Sequence, residues 1–260
     1  MLSLVQTSLF DAGSEVGLAP IAGSIVRQEL GRGAWVDLLP GWLSSADSLF
    51  DTLLNEVPWI EERRQMYERV VLVPRLLHFY DEGDPLPDPA LDRALAALNE
   101  YYHPELDGSR ADAVRRSERR RSSSASDNER GAIGPWSRPE GAVQSSATRA
   151  TQSAASSTES FCTAGLCLYR DGRDSVAWHG DTIGRGKTVD TMIAIISLGS
   201  ARNFLLRPRG GGATVRHRLG HGDLLVMGGS CQRTWEHAVP KTARPVGPRI
   251  SIQFRPRGVR

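Results

Sequence analysis

At 260 residues, 40% hydrophobic and 24% charged, the chain can form one domain with a well-buried core, or one domain plus a segment that does not pack. The formal net charge of +2 hides a skew: from Arg202 onward stand eleven Arg and Lys241 against Asp223 and Glu236, an end that should attract polyanions. The whole chain is nevertheless Arg-rich, with 30 Arg and two Lys, so Arg content alone is weak evidence for a nucleic-acid partner. Cys162, Cys167 and Cys231 are odd in number and lack CxxC spacing, which excludes a disulfide framework and a cysteine zinc site and suits a reducing cytoplasm. No run of about 18 apolar residues and no basic-then-apolar leader occur, so we expect a soluble cytoplasmic monomer without a membrane partner.

Residues 1–33 show no firm periodicity and read as an irregular N-terminal arm. After Leu39-Pro40-Gly41-Trp42, Ser44 and Ser45 offer N-caps to a helix whose Leu49, Phe50, Leu53, Leu54 and Val57 recur at helical spacing. The β-branched and aromatic stretch from Val70 to Tyr80 predicts a strand or hairpin, with Pro74 marking an edge or a break. A second helix should start at Asp88-Pro89, a cap followed by proline at the first helical position, with Leu91, Leu95 and Leu98 on one stripe. These elements make 34–108 the helical part of the domain. From 109 to 160, thirteen Ser and the Arg115 to Arg121 cluster leave almost nothing to bury, which reads as a disordered insertion, at most a tether, a modification target or a loose polyanion contact.

From Phe161 onward short strands alternate with turn residues: Thr163 to Tyr169, Ser175 to Trp178, Met192 to Leu198, Phe204 to Arg207, Thr214 to Arg218, Asp223 to Met227 and Arg249 to Phe254. Gly210-Gly211-Gly212 and Gly228-Gly229 are turns and not phosphate cradles, because no helix pattern follows either. Strands at this spacing without intervening helices argue for an antiparallel sandwich or jelly roll over 161–260. With helices first and sheet later, the class is α+β: a double-stranded β-helix, cupin-like in form, buttressed by N-terminal helices.

His179-Gly180-Asp181 closes a short strand, and residues two apart in a strand project to one face, so both side chains can reach one metal. A third ligand completes a facial triad of two His and one carboxylate, which leaves three adjacent positions open. His237 is the candidate. Twelve residues later, Arg249 and Arg255 are an even number of positions apart on one strand and share a face, where a planar guanidinium suits bidentate pairing with a carboxylate such as the distal one of 2-oxoglutarate.

This ordered set of HxD, distant His and Arg-x5-Arg resembles the AlkB family of 2-oxoglutarate oxygenases, from about Leu38 through Val73-Pro74-Arg75 to Tyr80, then from Phe161 to the C-terminus. The resemblance implies that His179, Asp181 and His237 bind Fe(II), that Arg249 pairs with 2-oxoglutarate, and that Tyr169 and Arg255 assist it. It further implies oxidative demethylation of N-alkylated nucleobases in DNA, with RNA as a second substrate, consuming O2 and releasing formaldehyde, succinate and CO2. Tyr80, where the family places substrate-covering aromatics, is a candidate stacking residue, and Arg207, Arg209, Arg216 and Arg218 are candidate backbone contacts. Two departures stand out: Cys167 where the family often has Asn, and Thr182-Ile183-Gly184 where an acidic residue often follows HxD. Both leave the iron ligands intact and bear on base choice.

The rival readings are the same scaffold acting on transfer RNA, a protein or a small molecule, and, more remotely, a non-catalytic jelly-roll module with a coincidental triad. His78, His103, His217 and His221 are expected to be structural, and Trp178 and Trp235 to pack in the core.

Overall fold

The computed structural model describes residues 15–66, 69–103, 160–181, 186 and 188–259, the side chains of 64–72 apart. The predicted insertion, Ser160 excepted, and the Thr182-Ile183-Gly184 segment lie outside these residues.

Among the described residues, fourteen strands and three helices follow in chain order: β1 (Gly17–Leu18), β2 (Val26–Gly31), β3 (Ala34–Leu39), β4 (Leu43–Ser44), α1 (Asp47–Glu56), β5 (Ile60–Met66), β6 (Arg69–Tyr80), α2 (Pro89–Tyr102), β7 (Thr163–Tyr169), β8 (Val176–His179), β9 (Ile193–Gly199), β10 (Arg202–Pro208), β11 (Val215–Leu219), β12 (Asp223–Gly229), α3 (Cys231–Thr234), β13 (Trp235–Val239) and β14 (Arg249–Arg255). Eight strands form a major sheet in the order β2-β3-β12-β9-β14-β7-β6-β5, and four form a minor sheet in the order β11-β10-β13-β8. Every pairing is antiparallel, as the jelly-roll reading requires.

The major sheet is buried on both faces. Against one lie α1 and α2, whose Leu49, Leu53, Leu91 and Leu98 join Leu166, Ile196, Ile250, Ile252 and Phe254 in a helix-side core. Between the two sheets lies a second core, with Tyr169, Ile195, Phe204, Leu206, Leu225, Met227 and Trp235. A strand covered on both faces loses the alternating pattern, which is why β7 and β9 read as near-continuous apolar runs.

Helix α2 starts as the sequence predicts: the Asp88 carboxylate accepts from the Ala90 amide at 2.8 Å and Pro89 opens the helix. Helix α1 does not, since Ala46 stands at its N-cap without a side-chain bond, Ser44 lies in β4, and Ser45 takes a φ of 51°. The segment read as an irregular arm also contains structure. β2 is the edge strand of the major sheet, held through Arg27, whose guanidinium grips the fully buried Asp37 at 2.7 and 2.8 Å while the Tyr102 hydroxyl donates to the same carboxylate. Its Val-Arg-Gln-Glu sequence faces solvent on both sides, so it has no period to detect. Pro74 sits where the β5–β6 register shifts, and its carbonyl accepts from the Ser175 amide at 2.8 Å, a break as expected of proline within a strand.

Asn99 joins the end of α2 to the start of the later strands: its Oδ1 accepts from the Phe161 amide and its Nδ2 donates to the Phe161 carbonyl, both at 2.9 Å.

Ile252 is fully enclosed in the helix-side core. Ile252→Ala should cost about 2–5 kcal/mol, read as a lower urea midpoint at unchanged m-value; a loss below about 1 kcal/mol would show that this core relaxes around the gap.

Candidate metal and co-substrate site

The minor sheet brings two of the predicted ligands together by backbone pairing alone. His237 of β13 stands directly opposite His179 of β8, with ring centroids 4.2 Å apart. Gly180 then carries the chain to Asp181, and one ligand atom from each of His179, Asp181 and His237 lies within 4.8 Å of the other two. Gly180 has a steric reason: a Cβ there would collide with the Arg209 guanidinium.

His179 Nδ1 lies 2.9 Å from the Ala177 carbonyl, so Nδ1 carries the proton and Nε2 is left with its lone pair for a metal. Burial, and then the neighbouring His179, pushes the His237 pKa down to about 3, and burial lowers that of His179 as well. Both rings are therefore neutral at pH 7, the form that ligates. For Asp181 burial pulls upward, but the cation of Arg255 at 3.6 Å outweighs it and holds the carboxyl below its usual range. Two neutral imidazoles and one carboxylate are the donor set of a non-haem Fe(II) facial triad, and the residues fit that ion.

The second half of the site lies on β14. Ile250, Ile252 and Phe254 face the helices, so Arg249, Ser251, Gln253 and Arg255 face the minor sheet. Arg249 is 1% exposed; its Nε donates to Ser197 Oγ at 3.0 Å, its guanidinium lies 5.2 Å from the Tyr169 ring centre, and its buried Nη1 has no hydrogen-bond partner among the described residues. A desolvated guanidinium with an unanswered donor calls for an anion, and burial accordingly lowers its pKa. Tyr169 is itself raised to about 12 by burial, so its hydroxyl remains a hydrogen-bond donor at neutral pH. Donor groups without a nearby carboxylate fit the distal carboxylate of 2-oxoglutarate.

The profile of the 2OG-Fe(II) oxygenase superfamily matches residues 36–255. The chain belongs to that superfamily. Among relatives of this oxygenase, the cattle (Bos taurus) "Alpha-ketoglutarate-dependent dioxygenase alkB homolog 3" is 29% identical over 234 residues, covering 85% of this chain and 65% of that protein. Its human counterpart is 39% identical over 103 residues, 35% of either chain, and the Arabidopsis thaliana "DNA oxidative demethylase ALKBH2" is 35% identical over 114 residues, 35% of this chain and 36% of that one. The oxygenase thus spans just under two thirds of the first relative's length and about a third of the other two. A prolyl hydroxylase of Trichoplax adhaerens, solved with a hypoxia inducible factor peptide, shares the fold at TM-score 0.50 and 11% identity, over 86% of this chain and 83% of that one.

Not every predicted residue joins the site. Tyr80 points to the helix side of β6, edge-on to His78 and against the helix-side core, so the stacking role is withdrawn; the aromatic on the site face is its neighbour Phe79, close to Gly165 and hence to Arg255 and Gln253. The error is one residue of strand parity. Trp178 is half-buried and not in the core, with the Arg207 guanidinium 4.2 Å from its ring centre and Glu236 bridging Arg207 at 3.1 Å. Trp235 packs between the sheets as expected. Arg209 borders the HxD turn, whereas Arg216 and Arg218 are exposed on β11, an edge strand two places from β13.

Sequence reasoning missed Ser197, Ser251, Gln253 and Gln232. The first three carried a signal, being polar residues inside runs that are otherwise apolar. Gln232 carried none.

The pKa of His237 has a sign that can be worked out. The unfolded imidazole titrates near 6.5 and the folded one near 3, so between those values the unfolded state binds more protons and stability falls as pH drops. Urea unfolding of the metal-free protein should show a loss from pH 7 to pH 5 that is shallower in His237→Gln; the residual slope belongs to His179 and His217, whose pKa values burial also lowers. Identical slopes would contradict the burial of a neutral imidazole.

Proposed function

We propose that the protein is an Fe(II)/2-oxoglutarate-dependent oxidative demethylase of N-alkylated nucleobases in DNA, with RNA as a second substrate. The observation that carries the reading is the convergence of His179, Asp181 and His237 between the same two sheets that enclose the unanswered donor of Arg249. A coincidental triad in a binding module would have no use for that guanidinium. The names of the cattle and Arabidopsis relatives support nucleobases as the substrate class.

When bound, iron and 2-oxoglutarate would supply the oxidant for the alkyl group, with O2 consumed, succinate and CO2 formed, and formaldehyde lost from the hydroxylated base. The chain's own contributions are positional. His179, Asp181 and His237 present three ligands on one side and leave the other side open. Arg249 and Tyr169 receive the distal carboxylate, and Arg255 keeps Asp181 ionised. Phe204, stacked on His237 at 5.3 Å, and Trp235 keep water from the inner side of the triad.

A base must be flipped out or come from a single strand to reach such a centre, and an alkyl group that blocks pairing lowers the cost of doing so. Arg209 at the HxD turn, Arg207 over Trp178, and the exposed Arg216 and Arg218 offer phosphate contacts leading away from the metal.

With iron and 2-oxoglutarate, single-stranded and duplex oligonucleotides carrying 1-methyladenine or 3-methylcytosine should release formaldehyde, and Asp181→Ala should release none. Succinate formation without base repair would turn the reading to another substrate, among them transfer RNA, a protein or a small molecule. Arg249→Lys, which keeps charge but loses the planar fork, should raise the KM for 2-oxoglutarate at least about tenfold; an unchanged KM would remove Arg249 from the co-substrate site. In the double variant Arg216→Ala/Arg218→Ala, the slope of log K against log salt for oligonucleotide binding should become shallower by about two; an unchanged slope would clear β11 of backbone contact.

A further inference from the structure

The metal ligands sit at the end of a short strand, where nothing in β8 itself determines where the Asp181 carboxylate lies. Its backbone is held from the connection between β12 and β13. Gln232 in the single turn α3 is 1% exposed, and its Oε1 accepts from the Asp181 amide at 3.1 Å. The same side chain is fixed at its other end, Nε2 donating to Met227 Sδ at 3.5 Å. The carbonyl of Gln232 takes the Arg209 guanidinium at 3.3 Å, and that guanidinium packs closely on Gly180, where a Cβ would have to displace it. One residue therefore holds the HxD turn twice: directly at Asp181, and through Arg209 at Gly180.

We propose that Gln232 is a positioning residue that sets the Asp181 carboxylate for metal binding, and that α3 acts as a clamp on the HxD turn. The proposal rests on the metal-site reading above. Because the turn follows the last paired residue of β8, loss of the Gln232 acceptor removes one hold on the Asp181 backbone while the strand pairing of His179 with His237 stays in place. The expected consequence is selective: two ligands remain arranged, and the third must be ordered by the ion itself. Residues that orient metal ligands in this way typically change affinity by about 10–100-fold when removed. Arg249 holds the co-substrate from a different strand, so its pocket should be unaffected.

The test uses Gln232→Met, which keeps the side-chain volume without the carbonyl acceptor, and Gln232→Glu, which keeps an oxygen at that place. Anaerobic titration with Co(II), followed by its visible absorption, and with Fe(II) should show affinity at least about tenfold weaker in the Met variant, with most of the loss recovered in the Glu variant. The KM for 2-oxoglutarate at saturating metal should stay within error of the parent. Unchanged Co(II) affinity in Gln232→Met overturns the proposal. So does an equal loss in both variants that tracks a shared fall in Tm, since that is the mark of packing alone. Amide exchange in the metal-free parent gives a readout independent of either variant: protection of the Asp181 amide is expected, and exchange at the unprotected rate overturns the clamp. A parent protein that binds neither Co(II) nor Fe(II) fails the metal reading itself, an outcome distinct from a parent that binds and a Met variant that binds equally well.

Discussion

A guanidinium sealed between two sheets, with no carboxylate beside it among the described residues, is the constraint on which the rest of this molecule turns. Removing an ion from water is costly unless an opposite charge answers it, and Arg249 has beside it the Ser197 hydroxyl and the Tyr169 side chain, both neutral. The fold accepts that cost by burying β14 on both sides, with helices against Ile250, Ile252 and Phe254 and the minor sheet against the polar row. In the proposed reading, co-substrate binding would complete the core. A site built this way would hold part of its binding free energy in advance, as a charge less stable without its ligand than with it.

The triad follows the same economy in a different form. His179 and His237 need no dedicated scaffold, because an antiparallel pair places opposed side chains on one face at contact distance. Burial keeps both rings neutral, and the cation of Arg255 keeps Asp181 charged within the same few ångströms. Environments that push neighbouring titratable groups to opposite states are what a metal-binding set requires, and they arise here from depth and from one arginine.

Much of this was legible in the sequence because it rests on period and spacing. His179 and Asp181 two apart, Arg249 and Arg255 six apart, and the turn glycines between apolar runs are statements about strand geometry, and the structure places all four side chains between the sheets. What was not legible depended on partners distant in the chain. Tyr80 comes into the site through the resemblance to the family, but which face it takes is set by the pairing of β6 with β7, and a shift of one residue reverses the answer. β2 shows no period because neither of its faces is buried, and its place is set by the buried Asp37 that Arg27 reaches. Gln232 lies 51 residues from the amide it holds, in a turn that resembles any other.

The two hydrogen bonds from Asn99 to Phe161 bring the chain on either side of residues 104–159 to one point on the domain. The join is therefore made inside the domain: the last turn of α2 and the residues that lead into β7 are held to each other by one reciprocal amide pair. Helix and sheet are tied at that point by a single side chain, and the domain carries its own closure there.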